Sequence, residues 1–417
     1  MKKTYILILL SVCTILGLNQ CDSTPKEGGN PPTLTPGMWR GLIGVQGQDL
    51  WFNFEVKQKN GKTSAELINA EERITISPED ISFYGDSVKM TMHIFDTEIR
   101  AKIEDGKLSG LYSKNYVPYT LPFEATLGKG HRVVKPDPAA EVAKLQERYA
   151  VNFEHEGEVN AAVAEFKQEG NYVTGTFLTP IGDYRYLEGG IVEQNKLTLT
   201  AYDGNHAFVF EARIEGDSLT GGHFWSGKNW HEDWTGMADP NAALPDANSL
   251  TFLKEGYDGI SFAFPDLNGD TVTLNDPRYK NKVIILQIFG TWCPNCMDET
   301  RFYRDWYADN KDKEVAIIGL AYEQKADFGY ASSRVKKMIE RMDAGYDFLI
   351  AGTADKKAAA ATLPMLNHVI SFPTSIFINK QGKVVKIHTG FSGPGTGVHY
   401  DRFVEEFNAT MSELLAE

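Results

Sequence analysis

The chain is poor in cysteine, with four in 417 residues. That excludes a small scaffold stapled by disulfides. Basic clusters are missing as well, and the net charge is −14, which argues against nucleic-acid binding. Long apolar runs are scarce. The run from Tyr5 to Leu16 is shorter than the roughly 20 residues of a membrane span. No second run is long enough, so only the N-terminus is expected to touch a membrane. Zinc sites usually need a second Cys or His pair at suitable spacing, and His368 and His388 stand isolated. A c-type haem would need His after Cys296, where Met297 stands. No metal and no cofactor are therefore expected.

The N-terminus has the order of an export signal over residues 1–20. Lys2 and Lys3 form its positive start and the short apolar run its core. Leu18-Asn19-Gln20-Cys21 then reads as a loose lipobox, although a small residue is usual where Gln20 stands. Cleavage would remove Cys13 and leave Cys21 as the lipidated first residue. The expected location is the cell envelope: a membrane-anchored lipoprotein facing the periplasm. The other reading is an ordinary secretory signal cleaved nearby.

If Cys21 is acylated, Cys293 and Cys296 are the only thiols left, in an oxidising compartment. An apolar strand, Val283 to Phe289, runs into Trp292-Cys293-Pro294-Asn295-Cys296, and a helical stretch follows. Cys293 then sits at a helix N-terminus, where unpaired N–H groups and the helix dipole favour a thiolate. Cys296 lies one turn on and within reach of a disulfide. This is the layout of a dithiol–disulfide exchange site. Pro294 suits the first helical position, where its missing N–H costs nothing.

Organisation along the chain is uneven. Residues 21–36 are a Pro/Gly-rich tether. Residues 37–130 carry short alternating segments, such as Leu50 to Val56 and Ser87 to Ile94, punctuated by Asn60-Gly61 and Asp105-Gly106. Residues 131–145 read as a polar linker. Residues 146–238 are β-rich again, with turns at Gly170-Asn171 and Gly216-Asp217. The two β regions look duplicated: Ala101-Lys102-Ile103-Glu104 returns about 110 residues on as Ala212-Arg213-Ile214-Glu215. The expectation is two antiparallel barrels or sandwiches of roughly eight strands each. Residues 249–417 alternate strand and helix, which gives a central sheet covered by helices. The aromatic run Phe224 to Trp234 reads as a packed barrel end or a binding mouth, and His155 beside Glu156 as a surface pair.

Residues 249–417 resemble the TlpA/ResA-like thiol-disulfide oxidoreductases, membrane-associated members of the thioredoxin fold. The matching pieces are Phe289-Gly290-Thr291-Trp292-Cys293-Pro294-Asn295-Cys296-Met297-Asp298-Glu299, Phe372-Pro373-Thr374-Ser375-Ile376-Phe377-Ile378 and Asn379-Lys380-Gln381-Gly382-Lys383-Val384-Val385. The resemblance implies an α/β thioredoxin-like domain behind the β region. It implies a redox-active Cys293–Cys296 disulfide, with protein or peptide disulfides as substrates and an upstream electron donor in the envelope. It implies a cis-proline at Pro373 that exposes the backbone of Phe372 to an incoming chain. Trp292, Phe372 and Pro373 are the candidate substrate contacts. Glu299 matches an acidic residue near the cysteine pair and could take the proton of Cys296; its other reading is a helix-start acid. Gln287 stands where thioredoxin carries a buried Asp. The expected function is reduction of protein disulfides. The alternative is a lipid-anchored binding protein whose thioredoxin-like domain is a redox-sensitive adaptor.

Overall fold

A computed structural model describes residues 33–417. The export signal, Cys21 and most of the expected tether lie outside the described residues. The first nine strands are Gly37–Val45 (β1), Gln48–Lys59 (β2), Lys62–Asn69 (β3), Glu72–Ile76 (β4), Ile81–Tyr84 (β5), Ser87–Thr91 (β6), Thr97–Glu104 (β7), Lys107–Lys114 (β8) and Tyr119–Leu127 (β9). They form one antiparallel sheet in the order β4-β3-β2-β1-β9-β8-β7-β6-β5. The chain meanders, and β1 pairs with β9 to curl the sheet round. The two edge strands, β4 and β5, are joined by a single 3-10 turn at Pro78–Asp80 and do not pair. The strand expected over Ser87 to Ile94 stops at Thr91, where the chain bends into an irregular loop before β7.

The second set is Arg148–His155 (β10), Glu158–Glu169 (β11), Tyr172–Thr179 (β12), Gly182–Asp183 (β13), Leu187–Val192 (β14), Lys196–Tyr202 (β15), Ala207–Glu215 (β16), Ser218–Ser226 (β17) and Trp230–Ala238 (β18). Here β12 pairs with both β11 and β14, so eight strands close into a barrel. The strand β13 stands outside that ring and pairs only with the end of β12. The two copies thus match strand for strand, but one is open and the other closed.

Alternation explains both interiors. In β10 the residues Tyr149, Val151 and Phe153 point inward and their neighbours outward. The second barrel has its own core, built on Phe153, Phe166, Phe177, Phe210, Phe224 and Trp234. That settles the two ends of the aromatic run: Phe224 and Trp234 are buried, while Trp230 is about half exposed and stacks on His155 at 4.1 Å.

The remaining elements are helix Ala247–Leu250 (α1), the hairpin Phe264–Pro265 (β19) and Thr271–Val272 (β20), Val283–Phe289 (β21), Pro294–Asn310 (α2), Val315–Glu323 (β22), Phe328–Met342 (α3), Asp347–Thr353 (β23), Lys356–Thr362 (α4), Thr374–Ile378 (β24), Val384–Thr389 (β25) and Val398–Ala416 (α5). The sheet order is β23-β22-β21-β24-β25. The first three strands are parallel and β24 and β25 antiparallel. β21 and β22 are buried along their whole length, as sheets covered on both faces are. This is the thioredoxin-like arrangement.

The three parts pack as one body. Buried apolar residues of the first barrel and of the C-terminal sheet belong to one continuous core, which also takes Tyr202, Ala207 and Val209 from the second barrel. The linker after β9 is less polar in role than its composition predicts. Arg132 is fully buried between the barrels, donating to Thr200 O at 3.0 Å and Asn69 Oδ1 at 2.7 Å, with Glu188 3.2 Å away. Helix α3 grips the first barrel through Arg341 to Asp80 at 3.0 Å and Tyr330 to Asp96 at 3.1 Å.

Candidate active site

The site forms where β21 ends and α2 begins. Cys293 is the N-cap of α2: its backbone is extended and its sulfur accepts from the N–H of Cys296 at 3.2 Å. Pro294 takes the first helical position. Cys293 and Cys296 are paired as a disulfide with their Cα atoms 5.2 Å apart. Cys293 Sγ lies 3.3 Å from the carbonyl oxygen of Phe372. The Phe372–Pro373 peptide is cis. Trp292 meets Phe372 edge-on at 5.5 Å, and its indole N–H donates to Tyr322 O at 2.9 Å. The structure thus gathers Trp292, Cys293, Cys296, Phe372 and Pro373 at one place.

Glu299 is deeper than a helix-start acid. It lies one turn beyond Cys296 and is fully buried. Gln287 Nε2 and Ser375 Oγ each donate to its carboxylate at 2.9 Å. The Tyr303 hydroxyl donates to Ser375 at 2.8 Å, and that of Tyr346 to Gln287 at 3.0 Å. Burial dominates its proton affinity and pushes its pKa up to about 7, against the opposing hydrogen bonds. A carboxyl poised there can both hold and accept a proton near neutrality.

A second buried acid escaped the sequence reading. Glu323, the last residue of β22, accepts from both the N–H and the hydroxyl of Thr291 at 2.8 Å. It clamps the turn before Trp292, and burial raises it to about 6. Its sequence signal was an acid at the end of a nine-residue strand that is otherwise buried and uncharged.

The second barrel also reaches the site. Asn205 donates to Trp292 O at 2.7 Å, Asn295 to Asp183 O at 3.0 Å, and Ser371 Oγ to Ile181 O at 2.6 Å. Gly393 N–H donates to Asp183 Oδ2 at 2.8 Å. Arg185, buried, bridges Glu72 of the first barrel, Asp203 of the second and Asp298 of α2. The edge expected to be open at Phe372 is therefore covered: Cys293 is 5 % exposed, Phe372 8 %, and Pro373 is buried. A cleft of about 470 Å³ at the junction touches Pro294 and Met297 but neither cysteine. Nothing in the sequence pairs Asn205 with a residue 87 positions away or Ile181 with one 190 positions away.

Among the described residues one group has cation-holding geometry. His223, His231 and Asp233, on the outer face of β17 and β18, bring ligand atoms within 4.8 Å of one another. Asp233 already accepts from His223 Nδ1 at 2.7 Å. Strand pairing makes that group, not spacing along the chain. No helix among the described residues is long and apolar enough to cross a membrane.

Comparison with known proteins bears on the same region. The Redoxin family model matches residues 237–400. The chain is 29% identical over 138 residues to the thiol-disulfide oxidoreductase ResA of Bacillus subtilis, covering 33% of this chain and 69% of that protein. It is 30% identical over 134 residues to ResA of Bacillus thuringiensis subsp. konkukian, covering 32% of this chain and 69% of the relative. The thioredoxin domain of a thiol-disulfide oxidoreductase from Bacteroides vulgatus aligns at 24% identity and a TM-score of 0.28, over 37% of this chain and 99% of that one. Both barrels lie ahead of the Redoxin match except for the last two residues of β18. Through its C-terminal region the chain belongs to the ResA thiol-disulfide oxidoreductases of the thioredoxin fold.

Proposed function

We propose that the protein reduces protein disulfides in the cell envelope, held to the membrane by lipid on Cys21. The observation that carries the chemistry is the cysteine pair at the start of α2 with Glu299 buried one turn beyond it. In the reduced protein the Cys293 thiolate attacks one sulfur of a substrate disulfide. A mixed disulfide forms and the other substrate thiolate leaves. Glu299 accepts the proton of Cys296, whose thiolate attacks Cys293 Sγ and releases the second substrate thiol. Two electrons pass to the substrate, and the protein is left with the Cys293–Cys296 disulfide. A dithiol donor in the envelope must then return two electrons.

The decisive experiment removes the resolving thiol. Cys296→Ser in the full chain should accumulate mixed disulfides on Cys293 that mass spectrometry identifies. No trapped partner, with insulin reduction by the wild type also absent, would favour the alternative of a lipid-anchored binding protein with a redox-sensitive adaptor domain. Burial of the cysteine pair under the second barrel is the observation that keeps this alternative open.

Anchoring is tested separately. One acyl chain alone binds membranes weakly, so stable attachment requires several. Cys21→Ala should lose the added lipid mass and leave the membrane fraction. An unchanged mass would remove the lipid from the proposal and leave the redox chemistry untouched.

A further inference from the structure

We propose that the hairpin Thr179–Asp183 of the second barrel is a gate that decides which disulfides reach Cys293, filling the groove beside Pro373 until a substrate chain displaces it. The inference rests on the reading of Cys293 and Cys296 as an exchange site.

Disulfide exchange demands close approach. The incoming sulfur must come to bonding distance, about 2 Å, of Cys293 Sγ. Cys293 is only 5 % exposed and Cys296 is fully buried, which leaves little open surface at the cysteine pair for a disulfide carried on a protein. The covering segment belongs to this chain. Ile181 and Asp183 offer their backbone carbonyls to Ser371, two residues before Pro373, and to Asn295, which stands between the two cysteines. Those are groups an extended substrate backbone would also offer, so the hairpin occupies the substrate's place.

Two glycines allow this contact. A Cβ on Gly390 would lie 2.9 Å from the carbonyl carbon of Ile181. A Cβ on Gly182, whose φ of +137° disfavours other residues, would lie 3.0 Å from Asn295 Nδ2. The hairpin backbone lies as close to Gly390 and to the Asn295 side chain as it does because neither glycine carries a side chain there.

The hairpin is also built to move. The barrel closes through β12 and β14, which pair from Tyr172–Gly175 to Leu187–Gly190. The two-residue β13 adds nothing to that closure and pairs only with Leu178 and Thr179. The tip residue Ile181 is 45 % exposed, so little apolar burial pins it. The tip is held mainly by hydrogen bonds that water or a substrate backbone can replace. Asn205 supports the cover from the next loop by holding Trp292. A long, flexible polypeptide bearing the disulfide could supply the displacing backbone, whereas a compact folded surface could not.

The test compares small and bulky thiol reagents on the reduced full chain. Iodoacetamide and a polyethylene-glycol maleimide are applied, and modification of Cys293 is followed by peptide mass. In the wild type the bulky reagent should react far more slowly, relative to the small one, than it does on the urea-unfolded chain. The variant Ser371→Ala removes the hydrogen bond to the hairpin at Ile181 and should raise the bulky rate by about 3- to 10-fold. Gly182→Val wedges the hairpin off Asn295 and should raise it independently; circular dichroism excludes a variant that has lost its fold. Wild-type rates equal to those of the unfolded chain would overturn the gate. So would variants that keep both the native spectrum and the wild-type rates. Insulin reduction on the same samples separates the two claims. Gated alkylation without turnover counts against the enzymatic reading alone, and turnover with ungated alkylation counts against the gate alone.

Discussion

At the scale of residues, Glu299 is the most informative group after the cysteines. Burial raises it to about 7, above an unfolded value of roughly 4.3. Between those values the folded protein holds a proton that the unfolded chain releases. Its contribution to stability therefore falls as pH rises through that window and is level above it. Glu299→Gln removes the group. The stability of wild type minus that of the variant should decline by about 1.4 kcal/mol per pH unit from roughly pH 4.3 to about 7. Denaturant titrations at several pH values would measure it; a flat difference would mean that Glu299 titrates as an exposed acid. The same variant should slow resolution of the mixed disulfide by about 10²–10⁴-fold while the first attack by Cys293 changes less. Stopped-flow fluorescence of Trp292 separates the two steps. Equal rates for wild type and variant in both would assign the proton of Cys296 to another route.

At the scale of elements, the start of α2 is held from three sides. Thr291 is clamped by Glu323 of β22, Trp292 by Asn205 of the second barrel, and Asp298 by Arg185. Arg185 is the shared point, since it also meets Glu72 from the first barrel and Asp203. All four side chains are at most 11% exposed. Replacing Arg185 by Met would leave Glu72 without its guanidinium and take one partner from Asp203, which keeps His206 at 2.9 Å, and from Asp298, which keeps Arg301 at 2.7 Å. Removing one partner of a buried ion pair costs about 3–5 kcal/mol. A fall of that size in unfolding free energy, with an unchanged dependence on denaturant, is expected for Arg185→Met. A loss below about 1 kcal/mol would mean that water reaches the carboxylates and the cluster is not buried in solution.

At the scale of the whole molecule, the continuous core joins the first barrel to the C-terminal sheet. Arg132 ties the barrels to each other, and Arg341 with Tyr330 ties α3 to the first barrel. Large shared apolar interfaces couple domain unfolding. The full chain should therefore melt in calorimetry with the first barrel and the C-terminal sheet in one transition. Two well-separated transitions for those parts would show that the interface contributes little.

What the chain alone determined is mostly local. The apolar run ending in Trp292-Cys293-Pro294-Asn295-Cys296 announces a strand feeding a helix whose first turn holds two thiols, because those signals lie within a few residues of each other. The β regions were readable because period-two alternation and turn residues repeat about 110 positions apart. Open against closed barrel was not, since it depends on whether the fifth strand of a copy pairs with the third, as β14 does with β12 and β5 does not with β3. The depth of Glu299 was not legible, because a charge near a helix start looks alike whether it faces water or a sheet. Glu323, Asp183, Arg185 and Asn205 join the site only by folding across long separations, which no periodicity encodes. The cover over Cys293 belongs to that second class: its hydrogen bonds use backbone carbonyls, and every residue has one, so only the packing of three domains could decide which chain segment lies there.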